Sequence, residues 1–404
     1  MHIKCTNGTP TLDTLDHLPP LPLFIDYWYT MRGVSILTEK DELGIYHALR
    51  LHERIYHIDL ILPPSILHKI FLQLDGHFPI LEHLSLTFSA PTIDANLPPR
   101  LPKGFLAPNL HQLSLPGISP PRRLRVFTST VSLVTLELRN IQTSSYFRPR
   151  LLVARLSFLP LLEALCIEFS APIPRPSTER ELLGEKGAPV KPPCLTKLEF
   201  RGVGAYLESL IAQIKVPLLE RLWIALFNQI TLALPHLSYL INITKVFKLR
   251  SAAVGFDFND VFITTARDHS SGGGALLLRV ICKPLDWQID SAAQICHGFI
   301  PTLSCVEHLR LNHFYREIPT ELRDGAIDTA TWHELLRSFI GLKELYVDKR
   351  LLEELSRVLQ ADEVGLDQGF LPNLQSIVAE DNLFTSFIDA RQLVARPVRF
   401  ENWY

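Results

Sequence analysis

A six-residue pattern of apolar and variable positions recurs along the chain. Positions 1, 4 and 6 are apolar, usually leucine, and positions 3 to 6 alternate between variable and apolar residues. Alternation with a period of two predicts a β-strand with one buried face and one open face. The clearest copies occupy residues 81–86, 110–115, 133–138, 162–167, 195–200 and 219–224. Their first residues lie 29, 23, 29, 33 and 24 positions apart, so the pattern repeats at intervals of 23 to 33 residues.

Leucines in the arrangement L-x-x-L-x-L at this spacing are the strand signature of a leucine-rich repeat. One unit cannot bury its own apolar edge, so neighbouring units must stack. Less regular copies begin at residues 55, 306, 342 and 374, and a copy at 244–249 fits only if Thr244 opens it. The apolar run 275–282 predicts a further strand between the copies that begin at residues 244 and 306. We therefore predict an α/β leucine-rich-repeat solenoid, a curved horseshoe of about eleven or twelve units with parallel strands on the concave face and helices on the convex face.

The segments between the strand phrases predict helices. Apolar residues recur at helical spacing in residues 151–159, 207–214 and 351–359. Thr331 and Glu334 match a capping box at a helix start. The asparagine that cytosolic repeats usually carry after the strand is missing, so we expect other hydrogen bonds to replace its ladder in every turn.

Composition favours one folded repeat domain inside the cell. The chain has 404 residues, of which 47% are hydrophobic and 20% are charged, enough for a continuous core. A net charge of -2 gives no general attraction to nucleic acid or to an anionic membrane. The sequence shows neither a membrane-spanning run nor the apolar core of a signal peptide. Six scattered cysteines are typical of a reducing compartment, so we expect a cytoplasmic or nuclear protein.

The domain boundaries follow from the extent of the repeats. We expect residues 1–33 to form an N-terminal extension, residues 34–382 to form the solenoid, and residues 383–404 to form a C-terminal cap.

The sequence contains no recognisable catalytic constellation. Neither G-x-S-x-G nor H-E-x-x-H occurs, and the glycine-rich run 270–274 lacks the lysine of a phosphate-binding loop. The densest group of potential metal ligands is Cys282, Cys296, His297, Cys305 and His308. Their spacing is not the paired spacing of a zinc site. We therefore expect no enzyme activity, no cofactor and no metal.

Residues 62–74 resemble the opening of an F-box, the small helical module that docks the Skp adaptor of cullin ubiquitin ligases. A complete module needs further helices, whereas this chain reaches the next strand phrase at Leu81. An ordinary helix that begins after Pro64 and connects two strands is the interpretation that we prefer.

A resemblance to fungal F-box/leucine-rich-repeat proteins extends from about residue 20 to about residue 400. Its most specific stretches are residues 22–27, 38–41, 54–60, 387–392 and 396–398. The resemblance implies a non-enzymatic module that recognises protein substrates for a ubiquitin ligase. In that family an F-box precedes this segment, and we expect a complete F-box only if upstream sequence supplies it. The alternative is a structural scaffold with no ligase link.

Position 5 of each phrase and position 7, just after it, point outward from the concave face and stack into columns. Exposed Trp, Tyr and Arg side chains are typical anchors of protein interfaces. We therefore predict a protein-binding surface, centred on Trp223, that comprises Arg201, Trp223, Lys248, Arg250, Arg310 and Tyr346. Binding by loops or termini is the alternative.

Overall fold

A computed structural model shows that the repeated phrases form parallel strands with helices packed between them. The structure describes residues 2–7, 15, 19–28, 38–88, 100–118, 130–172, 190–227, 232–247, 250–266, 275–282, 285–314, 329–361, 370–393 and 396–402. The chain divides into two compact units. The first comprises Met1–Gly202 and Ala212–Leu219, and the second comprises Val203–Ile211 and Glu220–Tyr404.

The described part of the first unit contains eight strands that follow one another in sequence order. They are β1 Ile3–Cys5, β2 Leu23–Trp28, β3 Ile55–Leu62, β4 His83–Phe88, β5 Gln112–Ser114, β6 Thr135–Ile141, β7 Ala164–Phe169 and β8 Lys197–Gly202. Each pairs in parallel with the next. The helices are α1 Glu39–Arg50, α2 Pro64–Gln73 and α3 Pro149–Leu156. Strands β1 and β2 lie within residues 1–33, so the sheet begins inside the segment that we set apart as an extension.

The described part of the second unit also contains eight strands. They are β9 Arg221–Phe227, β10 Ser251–Asp257, β11 Asp260–Ala266, β12 Leu276–Ile281, β13 His308–His313, β14 Glu344–Val347, β15 Ser376–Ala379 and β16 Arg399–Asn402. The helices are α4 Gly204–Ile211, α5 Pro235–Ile243, α6 Leu285–Gly298, α7 Ile300–Leu303, α8 Thr329–Arg337, α9 Leu352–Ala361 and α10 Thr385–Leu393. The α/β repeat fold with parallel phrase strands is therefore confirmed in both units. No helix among the described residues is long and apolar enough to cross a membrane.

A meander of three strands interrupts the parallel order in the second unit. The strands lie side by side in the order β9, β12, β11, β10, β13, β14, β15, β16. Strand β11 is antiparallel to both β10 and β12, while β12 pairs in parallel with β9 and β10 with β13. The tight connection at Phe258 and Asn259 is the kind that only antiparallel neighbours permit. The strand predicted at 275–282 is confirmed as β12.

The strand phrase predicted at residues 244–249 is wrong. Residues Lys245–Phe247 form a short 3-10 turn instead. The register pairs Ala252 with Leu309 and Val254 with Leu311, so the strand of this turn lies five residues later. The pattern was hidden because alanine replaces leucine at position 4.

A main-chain ladder joins the turn before each strand to its neighbour. The carbonyl oxygen of Glu82, at position 2, accepts hydrogen bonds from the N–H groups of His111 and Gln112, at 2.8 and 3.0 Å. The same two-donor arrangement, at 2.7–3.1 Å, recurs at the carbonyls of His111, Val134, Glu163, Arg250, Glu307 and Lys343. This ladder connects successive turns through main-chain atoms at the start of the strands.

Alternation along the strands separates two faces. The leucines at positions 1, 4 and 6, such as Leu81, Leu84 and Leu86, are fully buried. Positions 3, 5 and 7 are mostly half-buried or exposed, and we call the surface that they form in each unit the open face. The helices pack against the opposite side, where Trp332 of α8 contacts Phe256 of β10 edge-on, with 5.7 Å between ring centroids.

The predicted helical segments are confirmed, but one predicted helix start is wrong. The segments 151–159, 207–214 and 351–359 are confirmed as helical, with the bounds given above for α3, α4 and α9. Helix α1 is capped by Thr38, whose hydroxyl accepts from the N–H of Asp41 at 3.2 Å in a capping box. The capping box at Thr331 is wrong, because α8 already includes Thr329 and Thr331 therefore lies inside the helix. Residues 62–74 form the end of β3 and then helix α2.

The assignment of the buried face in the first unit can be tested by comparing a buried leucine with an exposed one. We expect Leu84→Ala, at a fully buried position of β4, to lower the free energy of unfolding by about 2–5 kcal/mol. Leu72→Ala, on α2 with the side chain 77% exposed, should change it by less than about 1 kcal/mol. Urea denaturation of the full chain followed by circular dichroism measures both. Equal losses in the two variants would contradict the assignment of the buried face.

Candidate protein-binding face

Three of the predicted binding residues lie at position 5 on the open face of the second unit. They are Trp223 on β9, Arg310 on β13 and Tyr346 on β14. Arg310 and Tyr346 are register partners, and the guanidinium carbon of Arg310 lies 5.4 Å from the centroid of the Tyr346 ring. The Tyr346 hydroxyl donates to Glu344 at 3.1 Å, which fixes the ring. Trp223 is 37% exposed. Trp223, Arg310 and Tyr346 therefore stand outward on the sheet, as expected.

The other three predicted residues are placed differently. Arg250 precedes β10 at position 2, with its Nη1 3.9 Å from the Oε2 of Glu307, so the expectation that it stands in an outward column is wrong. The error follows from the misplaced phrase at 244–249. Lys248 lies outside the described residues. Arg201 is exposed at position 7 of β8 and belongs to the first unit.

An aromatic cluster that the sequence did not reveal lies on the open face of the second unit. The rings of Phe262 and Phe314 are 5.5 Å apart, and the guanidinium carbon of Arg279 lies 5.9 Å from the Phe262 centroid. Phe262 stands opposite Gly255 on the neighbouring strand. A Cβ at Gly255 would overlap the Phe262 ring, so only glycine admits the ring across β10. The cluster escaped prediction because β11 runs antiparallel and carries no leucine phrase.

Charge is divided unevenly along this face. At positions 3, 5 and 7 of the described strands β9 to β13, the formally charged residues are Arg221, Arg279 and Arg310. Asp260, two residues beyond in register, lies 3.4 Å from the Nε of Arg279. The charged residues at the corresponding positions of β14 to β16 are the acids Glu344, Asp348, Glu380 and Glu401 and the base Arg399. Asp257 is the register partner of Asp260, so the part of the face that contains the aromatic cluster carries charges of both signs.

The open face of the first unit carries an ion-pair network centred on Arg139 of β6. Its Nε lies 3.3 Å from Glu137, its Nη2 lies 2.8 Å from Glu199, and its Nη1 pairs with Glu168. Lys197 adds a contact of 2.7 Å to Glu199. Burial acts to raise the pKa of Glu199, but hydrogen bonds from Lys197 and Arg139 outweigh it and hold the pKa below its usual range. The charges in this network are largely satisfied within the protein.

Part of this network also has the composition of a metal site. Ligand atoms of Cys166, Glu168 and Glu199 lie within 4.8 Å of one another. Both carboxylates are engaged by Arg139, however, and burial raises the pKa of the Cys166 thiol far above its ordinary value. A protonated thiol is a poor metal ligand. The geometry is that of a protein ion-pair network.

A row of stacked rings lies at position 3 of the first unit. The rings of Phe24 and His57 are 5.2 Å apart, and those of His57 and His83 are 4.2 Å apart and nearly parallel. His83 is also hydrogen-bonded to Gln112, with 2.7 Å between Nδ1 and Oε1. Burial, followed by the neighbouring His83, lowers the pKa of His57 despite the opposing effect of Asp59. The stack therefore favours a neutral His57.

Comparisons with known proteins assign no family to the chain. No protein-family model matches the chain. No curated protein sequence matches it either. Among the solved structures that it resembles is the crystal structure of the leucine-rich repeat-containing protein LegL7 from Legionella pneumophila. The two are 13% identical, the match covers 84% of this chain and 99% of LegL7, and the TM-score is 0.32.

The lowered pKa of His57 makes stability depend on pH. A histidine whose folded pKa lies below its unfolded value contributes stability that is present above the unfolded pKa, about 6.5, and is lost as the pH falls through the folded pKa. We expect the thermal midpoint of the first unit to fall between about pH 7 and about pH 5. His57→Phe keeps the stacked ring without this titration, so its midpoint should fall less. An identical fall in both proteins, measured by differential scanning calorimetry, would contradict the role of His57.

The Arg139 network predicts a second dependence on pH, of opposite sign. Arg139→Met leaves Glu168 and Glu199 close together without their cation, so we expect a loss of about 1–3 kcal/mol in the free energy of unfolding at neutral pH. The loss should shrink at about pH 5, where protonation relieves the repulsion. Arg148→Met, at an exposed arginine of the same unit, is the matched control and should cost little. A loss in Arg139→Met that is independent of pH would indicate that packing alone is involved.

Proposed function

We propose that this chain is a non-enzymatic protein-binding module, and that the open face of its second unit is the binding surface. The observation that carries the proposal is the set of large side chains held outward on that sheet. Trp223 is 37% exposed, Phe314 is 57% exposed, and Arg310 is stacked on Tyr346. Side chains of these types dominate binding energy in protein interfaces. Because they stand on hydrogen-bonded strands, little entropy is lost when a partner orders them.

The finer part of the proposal concerns the kind of module. The resemblance to fungal F-box/leucine-rich-repeat proteins supports a substrate-recognition region of a ubiquitin-ligase receptor that acts in the cytoplasm or nucleus. The side chains of Leu67 and Ile70 in helix α2, and of Leu74 directly after it, are fully buried, whereas Leu72 is 77% exposed. The buried side chains are committed to the core and could not also contact a Skp adaptor. This observation favours an F-box that is supplied by sequence other than residues 62–74, or the alternative of a scaffold with no ligase link.

Two arms test this proposal. We expect the double variant Trp223→Ala with Tyr346→Ala to weaken recovery of protein partners by about thirtyfold or more, as for the loss of interface anchors. Trp287→Ala, which removes a 58% exposed tryptophan from helix α6, is the matched control and should leave recovery unchanged. Quantitative mass spectrometry of affinity-purified partners gives the comparison. Partners recovered equally by the folded double variant would exclude this face.

The ligase link is tested separately by mixing the purified chain with a purified Skp adaptor. We expect no stable complex with residues 62–74 as the only F-box-like segment. A complex that is lost when Leu72, the exposed leucine of α2, is changed to Asp would assign adaptor binding to that segment and contradict this expectation.

A further inference from the structure

We propose that the outer edge of strand β16 is a self-association site, where β16 of a second copy of this chain pairs antiparallel about a two-fold axis at Phe400. Among the described strands, β16 has a neighbour on one side only, which is β15. The inference goes beyond the proposed function, because the contact is made by the edge of the sheet and not by its open face.

The first step is the direction of the main-chain groups of β16. The N–H of Arg399 donates to the carbonyl of Gln375 at 2.8 Å, so Arg399 directs its main chain toward β15. Successive residues of a strand direct these groups to opposite sides. Glu401 therefore also faces β15, whereas Phe400 and Asn402 direct their N–H and C=O groups to the outer edge. An edge of this kind is a template for another strand.

The second step is the phase of the pairing. A two-fold axis at Phe400 sets this residue opposite Phe400 of the second copy, and the two exchange both of their main-chain hydrogen bonds. Val398 and Asn402 lie two residues away on either side and also direct their main chains outward. The same axis sets Val398 of one copy opposite Asn402 of the other. The edge is therefore in phase for antiparallel pairing without any change in β16.

The third step is charge complementarity. The axis at Phe400 sets Arg399 opposite Glu401 of the second copy, and Glu401 opposite Arg399. Both side chains are exposed on the open face, and neither forms an ion pair with another described residue. Unlike charges directly opposite each other stabilise a strand pair, and like charges destabilise it. An in-register parallel pair would instead set Arg399 opposite Arg399, so the charges favour the antiparallel direction.

The fourth step is the apolar side chain of Phe400 on the helical side of the sheet. Phe400 occupies position 4, where Leu345 and Ile377 of the two preceding strands are fully buried. Phe400 itself keeps part of its surface in solvent, since no described strand lies beyond it. Pairing about Phe400 brings the Cα atoms of the two copies to about 5.5 Å and sets both rings on the same side. Each ring then covers the other.

Strand β1, the end strand of the first unit, lacks this complementarity. The N–H of Ile3 donates to the carbonyl of Pro22 at 2.9 Å, so Lys4 directs its main chain to the outer edge. A two-fold axis at Lys4 would set two lysines opposite each other. Lysine on an edge strand opposes pairing with another chain. The inference therefore concerns β16 and not β1.

Sedimentation velocity of the full chain tests the inference. An interface this short is expected to be weak, so the wild type should change from monomer to dimer between about 1 and about 100 µM. Arg399→Glu and Glu401→Arg each replace two attractive contacts with two repulsive ones, and each should weaken the dimer at least about tenfold. Arg357→Glu, at an exposed arginine of helix α9, makes the same change in net charge and should dimerise like the wild type.

Two further arms distinguish edge pairing from a general effect of charge. An equimolar mixture of Arg399→Glu and Glu401→Arg should form a heterodimer, because one variant carries two acids at residues 399 and 401 and the other carries two arginines. The double variant Arg399→Glu with Glu401→Arg should dimerise like the wild type, because the exchange keeps unlike charges opposite each other. Circular dichroism checks that each variant is folded.

Four results would overturn the inference. The first is a wild type that stays monomeric over the whole range of concentration. The second is a dimer that Arg399→Glu leaves unchanged, which would locate the contact elsewhere. The third is a pair of folded single variants that stay monomeric when mixed, which would exclude the antiparallel register. The fourth is a series of species larger than a dimer, which would exclude closure by a two-fold axis.

Discussion

The repeat architecture depends on one recurrent interaction, the carbonyl at phrase position 2 that accepts two N–H groups from the following turn. It fixes the entry of each strand next to its neighbour, and the parallel ladder continues from there. Because it uses only main-chain atoms, it leaves the side chains of the phrase free to vary. The leucines at positions 1, 4 and 6 then need only to be apolar, and the outward positions need only to tolerate solvent. This separation of roles lets a regular scaffold carry an irregular surface.

The two units use that freedom differently. On the open face of the first unit, Arg139 gathers three carboxylates from three strands, so the charges there mainly stabilise the sheet. On the open face of the second unit, Arg279 and Arg310 stand beside aromatic rings, and the carboxylate of Asp260 contacts Arg279. An internally satisfied network has little left to offer a ligand. The second face is therefore the better candidate for recognition.

Much of this arrangement follows from sequence, and the exceptions have physical causes. Trp223, Arg310 and Tyr346 could be placed because alternation on a strand flanked by leucines has only one solution. Strand β10 could not be placed in the same way, because Ala252 stands at position 4 and so small a residue is a weak marker of a buried strand position. Phe262 and Arg279 could not be paired at all, because nothing local indicates that β11 reverses direction. The position-2 ladder was equally invisible, as main-chain hydrogen bonds leave no residue preference to detect.

The meander also limits how this protein can change in length. In a regular repeat array each turn touches only its immediate neighbours in sequence, so a single turn can be duplicated or deleted while the array closes up around it. Here β9 pairs with β12, and β10 pairs with β13, so the sequence order and the spatial order are exchanged across several strands. Strand β10 runs parallel to β9, so the loss of β11 and β12 together would let β10 pair with β9 and restore the regular order. The meander can therefore be gained or lost as a pair of strands, whereas a regular turn is gained or lost singly.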